Sequence, residues 1–120
     1  MLSSKAIGDK GEQLALNYLN KAGLKLITRN FRKRGGEIDL IMQDDATLVF
    51  IEVRLRQSNQ FGSAIESVTY TKRQKIIQTA QCYLQENKPE YLAYRFDVIG
   101  ITPLNNDFNI NWVKDAFQLN

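Results

Sequence analysis

The stretch from Gly35 to Arg56, GGEIDLIMQDDATLVFIEVRLR, alternates in polarity twice, with a turn between the two runs. From Glu37 to Met42, Glu37, Asp39 and Ile41 fall on one side and Ile38, Leu40 and Met42 on the other. From Leu48 to Arg56, Val49, Ile51, Val53 and Leu55 share one face, and Phe50, Glu52, Arg54 and Arg56 share the other. A period of two marks half-buried strands, and Asp44-Asp45 supplies turn chemistry between them. A hairpin pivoting between Asp45 and Ala46 sets Asp39 opposite Glu52, Glu37 opposite Arg54 and Ile41 opposite Phe50. That register makes one face fully apolar and collects the acids and arginines on the other. A slip of one residue would break it.

The juxtaposition has a chemical consequence. Facing residues on an antiparallel pair have Cβ atoms about 4.5–5.5 Å apart, and like charges there destabilise the sheet. Two carboxylates that close share a proton or recruit a cation. A hard divalent ion held by one or two carboxylates, water and substrate phosphates is the usual Mg²⁺ arrangement. A surface network in which Arg54 and Arg56 neutralise the acids fits the same pattern, so the charges alone leave both readings open.

Composition narrows the chemistry. The 120 residues include one cysteine, Cys82, and no histidine. An internal disulfide is excluded, a zinc site would need carboxylates almost throughout, and Ser-His and Cys-His catalysis are removed. Carboxylates, Lys, Arg, Tyr, Ser or Thr must carry any reaction, with a metal as the natural helper. The length suits one domain over residues 1–120 with a real core. No apolar run reaches membrane-spanning length, and MLSSKAIGDKGEQ lacks the apolar core of a signal peptide. A soluble cytoplasmic protein with no membrane partner is expected.

A net charge of +3 is too small to establish a nucleic-acid partner. Its distribution says more. Arg29, Arg32, Lys33 and Arg34 precede the acidic hairpin, Arg54 and Arg56 end it, and Lys72, Arg73 and Lys75 form a third group. Basic clusters around a pocket of acids suit a phosphate backbone meeting a metal site. A solvated basic surface is the plainer alternative.

Along the chain, residues 4–22 read as a helix with Ile7, Leu14, Ala15, Tyr18 and Leu19 as its apolar stripe. Gly8 and Gly11 are placed on its buried side, and Glu12 at the border of the stripe with no basic residue four positions on. Residues 24–31 read as a strand, and Gly35-Gly36 as a turn. Residues 57–63 form a polar loop after the second hairpin strand. A second helix spans about 67–88, with an inner start near Lys72 if Thr71 and Gln74 form a capping box. Residues 92–102 make a strand covered on both faces, residues 107–113 a last strand, and Lys114–Asn120 a helical tail. The order α-β-β-β-α-β-β predicts a mixed α/β layer with helices on the sheet.

GDKGEQLALNYLNKAGLKLITRNFRKRGGEIDLI, LVFIEVRLR, FGSAIESV, TKRQKIIQTAQCYL and RFDVIGI together resemble the YraN family, whose members are similar to Holliday-junction resolvases. The resemblance covers nearly the whole chain. It implies a restriction-endonuclease-like fold carrying a PD-(D/E)xK constellation, in which acids on two strands and a following lysine serve a Mg²⁺ (or Mn²⁺) cofactor. By that resemblance Asp39 is the first acid and Glu52 the second, both as metal ligands. Glu12 matches the helix glutamate of the resolvase branch.

Two departures stand out. Ile38 takes the proline position, and Arg54 takes the lysine position, where the family usually reads EVK. Lysine can be pushed toward neutrality and so assist a water, whereas arginine stays protonated and can only hold or stabilise charge. Lys72 or Lys75 is a candidate substitute. The resemblance implies a metal-dependent nuclease acting on nucleic acid, most naturally DNA, with Glu12, Asp39, Glu52 and Arg54 as its catalytic set. A nucleic-acid-binding module with little catalysis is the competing expectation, and an assembly protein docking an acidic partner is a third. A homodimer is also implied, with Phe61, Tyr70 or Phe117 as candidate interface residues.

Overall fold

The computed structural model describes residues 4–56 and 64–118. Its elements run α1 (Ser4–Lys21), β1 (Lys25–Lys33), β2 (Gly36–Asp44), β3 (Thr47–Leu55), a 3-10 turn (Ile65–Ser67), α2 (Tyr70–Asn87), β4 (Ala93–Leu104) and β5 (Asp107–Phe117). The five strands lie in chain order in one sheet. All neighbours are antiparallel except β3 and β4, which α2 joins as a parallel pair. The mixed α/β architecture and the element order are as the sequence predicts.

The hairpin register is also as predicted. Ile41 faces Phe50, and the ladder runs from Asp44–Thr47 to Leu40–Ile51. Asp45 turns the chain in the left-handed region, φ 54°, a conformation that Asp tolerates better than most residues.

The sheet is covered on both faces. On the α2 side, Ile41, Leu48 and Phe50 pack with Ile76, Ile77, Ala80 and Tyr83. On the α1 side, Leu40, Met42, Val49 and Ile51 pack with Ala15, Leu16 and Leu19. Neither face of the hairpin is therefore polar throughout; Glu37, Asp39 and Glu52 lie toward its open end, beyond the Leu40–Ile51 pair. Strict alternation breaks at Asp39. Ile38 joins Ile41 in the α2-side core, whereas Leu40 and Met42 join the α1 side.

Close packing fixes where α2 lies. A Cβ on Gly36 would collide with Thr79 Oγ1 and come within 3.0 Å of the Lys75 carbonyl oxygen. The bare backbone of β2 thus lets α2 sit directly against the strand that carries the acids. On α1, Gly11 meets Leu55 of β3, but Gly8 faces open space, contrary to its expected burial. Ile7 and Tyr18 lie about two-fifths exposed, at 38% and 40%, so the true stripe is Gly11, Ala15, Leu16 and Leu19.

Three further expectations change. The cap of α2 is Thr69, whose side chain accepts the Lys72 N–H, rather than Thr71. The tail is strand and not helix: β5 runs on to Phe117, which is buried beside Phe96 at a ring spacing of 5.1 Å. Phe117 is therefore part of the core and not the exposed residue expected, while Tyr70 is 76% exposed and Phe61 lies outside the described residues, as does the loop over 57–63.

The continuation of β5 depends on Asp97, fully buried in β4. The register between β4 and β5 shifts around it. Its carboxylate accepts the Asp115 N–H at 2.9 Å, the Trp112 Nε1–H at 2.9 Å and the Arg95 Nε–H at 3.0 Å. Arg95 also donates to Asp44 at 3.0 Å. A buried carboxylate persists only when its lone pairs are met, and these donors meet them. No described helix is long and apolar enough to cross a membrane.

Candidate active site

The backbones of β2 and β3 pair as far as Leu40–Ile51 and no further toward Asp39. There a side chain takes over: Asp39 Oδ2 accepts the Val53 N–H at 2.8 Å. On the other flank, β1 departs from regular strand geometry at Asn30, φ 51°. Arg29–Leu40 and Phe31–Ile38 pair on either side of it. Both interruptions leave room beside Asp39 for groups from other elements.

Glu12 of α1 enters that room. One carboxylate oxygen each from Glu12, Glu37 and Asp39 lie within 4.8 Å of one another. Asn30 Nδ2 donates to Glu12 Oε1 at 2.9 Å and to Glu37 Oε1 at 3.3 Å, bridging the helix and the strand. The i, i+4 position of Glu12 holds Leu16, and the acid finds its partner across the fold instead.

Glu52 of β3 completes the group beside Asp39. Burial, foremost, and then the Glu52 charge push the Asp39 carboxyl up to about 8, against the Val53 N–H bond; Glu12 and Glu37 add to the rise. Glu52 is raised as well, chiefly by burial, although Arg54, Lys72 and a hydrogen bond with Asp39 oppose this. Burial and the mutual repulsion of the two carboxylates both favour their neutral forms.

The acids open onto a pocket of about 210 Å³ lined by Gly36, Glu37, Asp39, Glu52, Lys72, Lys75 and Ile76. One wall is acidic and comes from the sheet. The other carries two lysines from the first turns of α2.

The remaining basic residues are dispersed. Arg54 Nε donates to Ser67 Oγ at 3.0 Å, and its Nη1 lies 3.9 Å from Glu52 Oε1. Arg73 donates to the Val68 carbonyl at 2.9 Å and covers the Phe117 ring, so it braces α2 rather than lining the pocket. Arg32 pairs with Glu37 at 3.3 Å, in place of the Arg54 partner expected for that glutamate. Lys33 pairs with Glu86 at 2.6 Å, and Arg29 donates to Gln13 at 3.1 Å. Arg34 is exposed. Arg56 follows β3, its backbone N–H bound to the Ile101 carbonyl at 2.8 Å.

The structure therefore brings Asp39, Glu52, Lys72 and Lys75 into one pocket, sets Glu12 beside Asp39 and Glu37 but outside that lining, and keeps Arg54 at the edge. Sequence reasoning left out Glu37, Asn30 and Ser67 as site residues. Glu37 shared a face with Asp39, which was a usable signal. Asn30 had none in the polarity pattern, because its role comes from a left-handed backbone that asparagine tolerates.

A mixed α/β sheet with four convergent carboxylates defines a protein with a candidate acidic, cation-accepting centre. Comparison with known proteins places it further. The model of the uncharacterised protein family UPF0102 matches residues 11–101, a span that holds every side chain of the pocket. A UPF0102 protein of Nitrosococcus oceani is 50% identical over 117 residues, 93% of this chain and 91% of the relative. One from Herminiimonas arsenicoxydans is 49% identical over 112 residues, 93% of this chain and 86% of its own. A third, from Vibrio parahaemolyticus, is 44% identical over 119 residues, 98% and 97% of the two chains. The chain belongs to the UPF0102 family.

Proposed function

We propose that this protein is a divalent-metal-dependent nuclease on a restriction-endonuclease-like framework, hydrolysing phosphodiester bonds of DNA. One observation carries the reading: Glu37 and Asp39 of β2 and Glu52 of β3 line one pocket with two lysines of α2, and Glu12 of α1 gathers with Glu37 and Asp39 beside it. The motif resemblance supports it, and nucleic acid as partner implies a cytoplasmic protein.

The donor set suits Mg²⁺ or Mn²⁺. It is all carboxylate oxygen, the hard donor that these ions take. Asp39 and Glu52 would hold the ion, and Glu12 and Glu37, gathered beside Asp39, would be available to it. When bound, such an ion polarises a phosphoryl oxygen and stabilises charge in an in-line displacement.

The chain's own groups do the rest. The Val53 N–H fixes Asp39, and Asn30 fixes Glu12 and Glu37. Water adds to phosphorus, one P–O bond breaks, and the products are a phosphomonoester and a free hydroxyl. Arg54, permanently protonated, contributes fixed positive charge beside Glu52 and takes no proton from that water.

The test is incubation of the full chain with Mg²⁺ or Mn²⁺ and a panel of single-stranded, duplex and four-way DNA. Cleavage by the parent and none by Asp39→Ala is expected. Cleavage that survives Asp39→Ala would place the activity elsewhere. Arg54 favours one second reading, a binding module with little hydrolysis. Salt-dependent binding without cleavage, and gain of cleavage by Arg54→Lys, would select it.

A further inference from the structure

The position following the second acid by two holds Arg54, yet its guanidinium is engaged at the pocket's edge. Ser67 Oγ takes its Nε–H at 3.0 Å, and Glu52 lies 3.9 Å from Nη1. Arg54 is not among the residues lining the pocket. Lys72 and Lys75 are, from the opposite wall, together with Asp39 and Glu52. The third basic residue of that run, Arg73, is turned away onto Val68 and Phe117.

Spacing explains the division. Residues 72 and 75 are three apart and share a helix face. Ile76, next to Lys75, is buried against the sheet, while both lysines are exposed. The close approach of α2 at Gly36, where a Cβ would come within 3.0 Å of the Lys75 carbonyl, keeps that face over the acids.

Resting on the nuclease reading, we infer that Lys72 and Lys75 of α2 supply the cationic contacts to the phosphate that is cleaved, in place of a lysine on β3. The phosphodiester lies between the two walls, its oxygens facing ammonium groups on one side and the acidic centre on the other. Arg54 then acts as a positioning residue, tying Glu52 on β3 to the 3-10 turn through Ser67. Ammonium groups suit this role because each is a compact point charge on a flexible stem, and two can follow a phosphate as its geometry changes. Specificity for phosphodiesters comes from charge alone, so the contact is independent of base sequence.

The experiment compares the parent, Lys72→Ala/Lys75→Ala, Arg54→Ala and a charge-matched control, Lys21→Ala/Lys114→Ala. Affinity for a fluorescent DNA duplex is measured in Ca²⁺ over a series of salt concentrations, and cleavage in Mn²⁺ alongside. Releasing the one phosphate that both lysines hold should lower the slope of log affinity against log salt by about 0.9. Cleavage should fall at least about a hundredfold, as for loss of a group stabilising transition-state charge. The control should keep the parent slope.

A parental slope and parental cleavage in the α2 double variant would overturn the inference while leaving the nuclease reading intact. A slope change from Arg54→Ala but not from the lysine pair would return the phosphate contact to β3 and overturn it equally. If the parent neither binds nor cleaves any DNA, the nuclease reading fails first and the inference with it. Thermal unfolding of each variant separates these outcomes from loss of fold.

Discussion

Asp39 accepts the Val53 backbone N–H at 2.8 Å just where β2 and β3 cease to pair. A carboxylate stands in for the carbonyl that would continue the ladder. One oxygen closes the gap between the strands, which leaves the other to the acidic pocket. The same residue therefore holds the sheet together and carries the charge of the site. Variants of Asp39 must be chosen to separate these two roles.

Asp39→Asn separates them, because an amide oxygen still accepts from Val53 but the group no longer ionises. The Asp39 carboxyl sits at about 8 in the folded chain against 3.8 in an unfolded one. Between those values the folded state keeps a proton that the unfolded state has released. Stability of the parent without divalent ions therefore falls as pH rises from about 4 to about 8. Denaturant titrations across that range should show the decline in the parent and a flatter profile in Asp39→Asn. Equal slopes would show that Asp39 is not the titrating group.

Divalent ions should reverse that decline. An ion bound by the carboxylates must displace their proton, so its affinity rises with pH. The increase in thermal midpoint on adding Mn²⁺ should be larger at pH 8.5 than at pH 6. Asp39→Asn should remove most of the increase at both.

Asn30→Gly should loosen the acids without disturbing the backbone, since glycine accepts the φ of 51° seen at this position. The bonds to Glu12 and Glu37 vanish. Partners that orient metal-binding groups typically contribute about 10–100-fold in affinity. Calorimetric titration with Mn²⁺ should show a loss in that range, with little change in the far-UV circular dichroism spectrum. Unchanged affinity would reduce Asn30 to a turn residue.

Asp97→Ala should cost about 3–5 kcal/mol, because Arg95 and the Trp112 indole N–H lose a buried partner together. The strand end after Trp112 should loosen with it, since the Asp115 N–H loses its acceptor. Hydrogen exchange should show faster exchange at Asp115 and Phe117 than in β2.

Gly36→Ala should cost about 1–3 kcal/mol by pushing α2 away from β2. Adding Thr79→Ala should recover only part of this, as the Lys75 carbonyl remains 3.0 Å from the new Cβ. Equilibrium unfolding of the single and double variants reads both effects. Full recovery would assign the clash to the Thr79 hydroxyl alone.

Local pattern carried most of this fold. Period-two runs and the Asp44-Asp45 turn sufficed for the hairpin and its register, because a one-residue slip would send one strand's side chains to the opposite face and part Ile41 from Phe50. They also put Asp39 and Glu52 on neighbouring strands, and the motifs named the family. What sequence could not show depended on atoms far apart in the chain. Asn30 meets Glu12 only because β1 bends into a left-handed conformation beside α1. Phe117 is core only because Asp97 carries β5 past a break in its ladder. Lys72 and Lys75 were legible as charges, but their place opposite the acids depends on how closely α2 approaches Gly36. Periodicity assigns a side chain to a face; only packing decides what that face meets.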